Sequence, residues 1–440
     1  MEELFEQLRD DTRSFWQNPS AGIRRLDAMP SPADFFRDFV ATSTPVVISG
    51  GGSGCLKRES RCWDDVSSLA RRNGVDLEVT VDFTPNGRGD CVVDVPCDLL
   101  SGHLTSSNTR GGRGGVGEGK ESRTGTAEHG DGSAVTATAD TTAVFVKPEE
   151  RRMKFETFVS TLLEAATAGD ESCAHDGSRD SGIGEGWIPY LSHQNDSLRR
   201  EFPGLLEEVE PFLALAREAF GNDPDAVNLW IGDDRSLSAV HKDHYENMYC
   251  VVRGEKHFTL LPPSDVLFLY EQEYPQGRYR RRRASFVNGI GGEGDGGGGE
   301  GVFEVEMEEG KVPWIPVDPA CPDLEKYPLF RFASPVECRV GPGDILYLPS
   351  LWYHRVSQRG ITVAVNYWHD MQFDHKYVYY RFLQSLATKF QSVVPRSGRA
   401  VGVSSSGAEG GGSRSKETPQ KRFEEEPVVE SEEEESVGEF

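Results

Sequence analysis

His241 and Asp243 lie in Ser238-Ala-Val-His-Lys-Asp-His-Tyr-Glu-Asn-Met-Tyr249, and both are side chains that bind a divalent metal ion. An apolar run, Ala226–Ile231, precedes them and an alternating run, Asn247–Arg253, follows, so the stretch reads as two strands with a turn between. On a strand, side chains at i and i+2 share a face, which lets the imidazole and the carboxylate converge on one ion. A His-x-Asp pair alone is equally at home in a turn or a surface pair, so a third ligand is required. His354, in Gly343-Asp-Ile-Leu-Tyr-Leu-Pro-Ser-Leu-Trp-Tyr-His354, is the best candidate. Two His and one carboxylate on one side of an ion leave positions open for a co-substrate and O₂, the arrangement of non-haem Fe(II) oxygenases.

Such a site needs a cation if its co-substrate is a dicarboxylate. Lys256 opens the apolar strand Lys256–Leu261 and could be no more than an exposed strand end. Beside an open metal site it offers a point charge for a far carboxylate, which the Tyr249 hydroxyl can share.

The elements that must position these groups follow from pattern. Glu2–Trp16 spaces Leu4, Phe5, Leu8 and Phe15 as an amphipathic helix. Ser31-Pro-Ala-Asp predicts a second helix with Ser as N-cap and Pro in its first turn, carrying Phe35, Phe36 and Phe39. Strands that extend the sheet are expected at Pro45–Ile48 and Leu77–Phe83, and further ones at Ala143–Val146 and Trp187–Leu191; helices are expected at Phe155–Ala166 and Pro211–Phe220. Val336–Val340, Ile345–Leu348, Tyr353–Val356 and Thr362–Trp368 supply closing strands, and Asp374–Phe390 a last helix. Short alternating strands with Gly and Pro turns predict a mainly β fold with flanking helices, a double-stranded β-helix or cupin-like jelly roll.

The chain divides into residues 1–100, helices and strands extending the barrel; 101–140, a Gly/Ser-rich insertion expected to be disordered; 141–395, the barrel and C-terminal helix with loop insertions at about 168–186 and 276–301; and 396–440, an acidic tail. Cys173 and His175 in the second insertion, and Arg278-Tyr-Arg-Arg-Arg-Arg283 in the third, read as solvated loops. The formal charge of −25 over 440 residues argues against direct nucleic-acid binding, which requires a basic face. Eight cysteines without a C-x-x-C read as reduced thiols. The acidic N-terminus lacks an apolar h-region, and no apolar run is long enough to span a membrane. A cytoplasmic location, with the nucleus as a second compartment, is therefore expected.

Asp225–Gly232, His241–Phe258, Lys311–Pro319, Asp344–His354 and Val363–Met371, with Thr44–Ser49, Val79–Pro85 and Glu150–Met153, together resemble the JmjC (jumonji C) 2-oxoglutarate oxygenases, and among them the lysyl hydroxylases. The resemblance covers most of residues 1–390 apart from the insertions. It implies Fe(II) held by His241, Asp243 and His354, and 2-oxoglutarate chelating it while its far carboxylate meets Lys256 and Tyr249. Ser238, at a position where related hydroxylases carry Thr, and Asn247 and Asn366 are implied as further co-substrate contacts. Trp230 and Trp368 are implied as walls, while His244 and His257 stay in the core or at the rim. The implied reaction consumes O₂ and 2-oxoglutarate, releases succinate and CO₂, and hydroxylates a C–H bond: (3S)-hydroxylation of a lysine in a TRAFAC-class, developmentally regulated GTP-binding protein. Asp233, Asp234 and Glu246 are positional candidates for meeting the cationic substrate. A homodimer is also implied. The rival readings are a histone-lysine demethylase, an endopeptidase acting on histone tails, and a non-enzymatic cupin scaffold. An incomplete triad or the loss of Lys256 would favour the scaffold, and both are intact. No reader or zinc module accompanies the barrel, and no HExxH helix occurs.

Overall fold

The computed structural model describes residues 2–16, 22–57, 63, 65–74, 76–101, 141–168, 187–281 and 303–393. The Gly-rich stretch beyond Ser101, the second insertion with Cys173 and His175, Arg282 and Arg283, the glycine tract and the acidic tail fall outside them.

Two long antiparallel strands, Tyr245–Leu261 and Tyr353–Asp370, form the spine of the barrel. Each bends and serves both faces of the roll. The first half of Tyr245–Leu261 pairs with Ile345–Leu348 and its second half with Val336–Val340. The partner strand pairs with Leu237–His241 at one end and Ala226–Gly232 at the other. Val46–Ile48 extends the sheet beside Ile345–Leu348. This is the expected jelly roll.

A register shift between Val251 and Arg253 decides which residues face inward. Tyr249 and Lys256 lie seven residues apart, a spacing that puts them on opposite faces of a straight strand. The extra residue of a bulge reverses the alternation. Tyr249 and Val251 before it, and Phe258 and Leu260 after it, accordingly share one inner cluster with Val356 and Ala364. The outward-facing Met248, Cys250, Val363, Val365 and Tyr367 belong to a second cluster with Phe35, Trp63, Phe155, Phe158 and Leu162. Burying each such side chain is worth about 1.5–3 kcal/mol, which holds the flanking helices against the sheet.

Glu2–Trp16 is helical as expected, and its Phe5 packs edge-on to Phe268 and Phe390. Ser31 caps Pro32–Phe35 by accepting the Asp34 N–H at 3.1 Å, and Phe35 and Phe39 are buried, whereas Phe36 faces solvent. The helices Phe155–Ala168, Ala214–Phe220 and His375–Val393 and the strand Ile188–Tyr190 fall where expected.

Two expectations are corrected. Glu78–Thr84 does not extend the barrel sheet; it forms its own three-stranded sheet with Glu149–Lys154 and Ile188–Tyr190, tied to the barrel where Leu191 bridges Ile231. The arginine run is no loop as far as Arg281. Gln272–Arg281 and Phe303–Trp314 form a hairpin in a five-stranded sheet with Cys91–Pro96, Thr141–Lys147 and Leu100–Ser101. Its cations are matched by carboxylates: Arg278 meets Glu150 at 2.6 Å and Glu308 at 3.1 Å, and Arg280 meets Glu306 at 2.6 Å. Between them Tyr279 is fully buried.

Gly87 locks the accessory loop to the strand that carries His241. Its carbonyl accepts the Leu237 N–H at 2.8 Å, and its φ is +77°. A Cβ there would stand 1.8 Å from the Arg235 carbonyl oxygen. Gly87→Ala is therefore expected to destabilise the protein by more than about 2 kcal/mol, the sum of left-handed backbone cost and steric clash. Urea unfolding of the two proteins checks this; a loss below about 0.5 kcal/mol would mean that the loop yields freely.

Candidate metal and co-substrate site

His241 and His354 are register partners on adjacent strands, and their ring centroids are 4.2 Å apart. Asp243 follows in the turn, which the Leu351 N–H fixes by donating to the Asp243 carbonyl at 2.9 Å. Asp243 Oδ2 lies 4.0 Å from His241 Nε2 and 3.5 Å from His354 Nε2. The three donor atoms all fall within 4.8 Å of one another, and among the described residues this is the group able to hold a metal ion.

The imidazoles are already oriented as ligands. His241 Nδ1 is 2.7 Å from the Ala239 carbonyl oxygen and His354 Nδ1 is 3.1 Å from that of Trp352. A carbonyl only accepts, so each Nδ1 carries the proton and each Nε2 keeps its lone pair for the metal. Burial drives the His354 pKa down to about 4; the nearby His241 works in the same direction, and Asp243 opposes both. His354 is thus neutral at physiological pH, the state a ligand requires. The donor set suits Fe(II), with one face left open.

Behind the triad a small chamber is lined by Tyr190, Asn247, Tyr249, Phe258, Asn366 and Trp368. Trp230 Nε1 donates to Asn366 Oδ1 at 2.9 Å, and Asn366 Nδ2 donates to Asn247 Oδ1 at 3.3 Å. The two amides therefore belong to one buried chain with fixed orientation. Lys256 is 1% exposed, and its Nζ donates to the Tyr190 hydroxyl at 3.0 Å and to Gln358 Oε1. Both partners are neutral; among the described residues no carboxylate bonds it. Burial alone lowers the Lys256 pKa to about 7. A buried ammonium without a counter-ion is costly, and an incoming carboxylate would supply what is missing.

In front of the triad lies a cleft of about 300 Å³. Its walls include Asp82, Asp90, Tyr190, Trp230, Ser238, His241, Asp243 and Trp314. Trp314 stacks parallel to His241 at 6.3 Å. Ser238 stands beside the Tyr190 hydroxyl. Burial pushes the Asp82 carboxyl up to about 7, against the hydrogen bond from Ser192, and burial raises Asp90 as well.

The positional candidates for substrate charge do not reach this cleft. Asp233 is buried under an ion pair with Arg235 at 2.6 Å, Glu246 accepts hydrogen bonds from Tyr347 and Ser350, and the exposed Asp234 is not among the lining residues. His244 packs on Phe373 and Tyr377, and His257 pairs with Glu255, so neither joins the metal ligands. Tyr190, Gln358, Asp82, Asp90 and Trp314 were missed by sequence reasoning. Asp82 and Trp314 sat inside runs already singled out, Val79–Pro85 and Lys311–Pro319.

The depressed pKa of Lys256 has a stability signature. An unfolded lysine keeps its proton to about pH 10.5, the folded one only to about 7. Between these values the unfolded chain binds the extra proton, so stability rises with pH across this window and is flat below it, with a slope of up to about 1.4 kcal/mol per pH unit from this group. Lys256→Met removes that slope, so its stability relative to wild type should increase as pH falls from 10 to 7. A pH series of urea unfolding curves measures the difference; a constant offset would show that the ammonium is solvated.

Residues 32–375 match the family described as a cupin-like domain. A lysine-specific demethylase, JMJ32, of Arabidopsis thaliana is 36% identical over 388 residues, which is 85% of this chain and 89% of that protein. JmjC domain-containing protein E of Dictyostelium discoideum is 33% identical, over 84% of this chain and 90% of its own. The human bifunctional peptidase and (3S)-lysyl hydroxylase JMJD7 is 32% identical, over 88% of this chain and 97% of its own. Likeness of this extent, sustained across nearly the whole of each relative, means that the chain belongs to the JmjC oxygenases of the cupin-like fold.

Proposed function

We propose that the protein is an Fe(II)- and 2-oxoglutarate-dependent lysyl hydroxylase acting on a protein substrate, in the manner of (3S)-hydroxylation of a developmentally regulated, TRAFAC-class GTP-binding protein. The observation that carries this reading is Lys256, a buried ammonium lacking a carboxylate partner, set behind a 2-His-1-Asp face. That pairing suits an oxo acid with a second carboxylate. The human relative's name, a (3S)-lysyl hydroxylase, supports the choice of substrate.

His241, Asp243 and His354 would hold the iron, and Lys256 and Tyr249, with Tyr190 beside them, would take the far carboxylate. The iron, O₂ and 2-oxoglutarate together supply an oxidant able to attack an unactivated C–H bond, with succinate and CO₂ as by-products. The chain's own contribution is positional. Asn247 and Asn366, held by Trp230, present fixed amide dipoles to the chamber. Tyr249, Phe258 and Trp368 keep water out of it.

Mass spectrometry of lysine peptides from such GTP-binding proteins, incubated with the protein, Fe(II), 2-oxoglutarate, ascorbate and air, tests the reading. One added oxygen is expected, dependent on 2-oxoglutarate and absent with His241→Ala. A second reading, demethylation, draws on the name of the Arabidopsis relative; removal of a methyl group from a methylated histone peptide without oxygen addition to the first peptide would establish it instead. Cleavage of either peptide would point to the peptidase named for the human relative.

A homodimer belongs to the same proposal. Phe373, Val378, Tyr379 and Phe382, on or just before the last helix, are each at least 60% exposed. So many large apolar side chains on one short stretch mark a surface that gains by being covered. Light scattering at micromolar concentration should give twice the chain mass for wild type and the single mass for Tyr379→Glu with Phe382→Glu; a monomeric wild type would end this part of the proposal. The cytoplasm, with the nucleus as a second compartment, is the proposed location, in keeping with the absence of a disulfide among the described cysteines.

A further inference from the structure

We infer that Asp82 and Asp90 form the receptor for the primary ammonium of the substrate side chain, in the cleft that opens onto the metal ligands. The inference rests on the lysyl hydroxylase reading and extends it to the residues that would select a lysine.

Most charges around the cleft are already matched. Lys242 lines the cleft but is bonded to Glu271 at 2.9 Å. Lys147 and Arg278, the cations near Asp90, are bonded to Glu308 at 2.8 Å and to Glu150 at 2.6 Å. Asp243 would be taken by the metal. Asp82 and Asp90 are what remains: among the described residues no cation bonds either carboxylate, and the two lie close enough to repel each other. With iron and 2-oxoglutarate in place the balance is unchanged. Two positive charges on the ion meet Asp243 and the oxo-acid carboxylate, and Lys256 meets the far one.

Asp82 is buried, with 9% exposure. Its Oδ2 accepts from Ser192 at 2.6 Å, no hydrogen bond to Oδ1 is made among the described residues, and Asp82 lines the cleft. A buried carboxylate oxygen left open toward a cavity is an expensive arrangement unless a donor arrives. Asp90 sits on the same wall, at φ +51°, a left-handed conformation that few side-chain-bearing residues adopt. It lines the cleft together with His241 and Asp243, so the receptor adjoins the candidate metal ligands.

The other walls fit the rest of a lysine. Phe145, Pro148, Trp230 and Trp314 line the cleft, and the Phe145 and Trp314 rings are 4.5 Å apart. They offer apolar surface to a four-carbon stem whose charged end continues to the carboxylates. Two carboxylates favour an ammonium with three N–H donors over a trimethylated one, which has none.

The test uses the full chain loaded with Zn(II) and 2-oxoglutarate, and Nα-acetyl-lysine N-methylamide with its norleucine and arginine counterparts as probes, bound affinity being read by ligand-observed NMR. The lysine probe is expected to bind at least tenfold more tightly than the norleucine probe, and the preference should fall to twofold or less in both Asp82→Asn and Asp90→Asn. Melting temperatures identify a misfolded variant, in which case the other carries the result. Equal binding of norleucine by wild type, an unchanged preference in both folded variants, or tighter capture of arginine would overturn the assignment. Hydroxylation separates the two ideas: oxygen addition to a lysine peptide with unaltered KM in both variants would sink the receptor and leave the activity. A charge preference lost in the variants, in a protein that oxidises no peptide, would do the reverse.

Discussion

The antiparallel pairing of Tyr245–Leu261 with Tyr353–Asp370 is the constraint on which the site depends. His354, Gln358 and Asn366 hang from one strand, and Asn247, Tyr249 and Lys256 from the other. His241 is set by its register with His354. A one-residue slip anywhere along this pair would turn ligands outward and apolar side chains inward. The bulge after Val251 is such a slip, and it is what brings Lys256 to the face that Tyr249 occupies; a second register shift follows between Arg253 and Glu255.

This arrangement places polar groups where a barrel interior would favour apolar ones. Asn247, Lys256, Gln358 and Asn366 are all buried. Their hydrogen bonds to one another and to Tyr190 and Trp230 reduce the desolvation cost without removing it, because the Lys256 ammonium finds only neutral acceptors. The apolar clusters on both faces of the sheet must outweigh that deficit. The Lys256 ammonium, with only neutral acceptors, is thus pre-organised for an anion, as a co-substrate site requires.

Much of the barrel was legible because short strands announce themselves by alternation and by their turns, and the metal triad because His-x-Asp on a strand has a direct geometric meaning. The bulge was not legible: no feature of Val251-Val-Arg-Gly254 fixes where the alternation reverses. Tyr190 lies in a stretch that reads simply as a strand, and its pairing with Asp82 and the bridge between Leu191 and Ile231 bring it to Lys256. The hairpin beginning at Gln272 was obscured because a run of arginines before a glycine tract looks solvated; Glu306 and Glu308, which pair with Arg280 and Arg278, lie beyond that tract. Asp233 and Glu246 looked available because sequence shows charge but not its partners.

The groups around the site come from different parts of the fold. Lys256 and Gln358 belong to the barrel strands, where any shift disturbs the candidate metal ligands as well. The carboxylates Asp82 and Asp90, and the Phe145 and Trp314 walls, come from the accessory sheets and the loops between their strands. These reach the barrel through few bonds, among them Leu237 to Gly87 and Leu191 to Ile231. Substitutions in the accessory strands can therefore change charge and width at the mouth of the cleft while leaving His241, Asp243, His354 and Lys256 in place. On this architecture, residues on Glu78–Thr84, Thr141–Lys147 and Phe303–Trp314 can alter what the cleft accepts while the barrel residues stay unchanged.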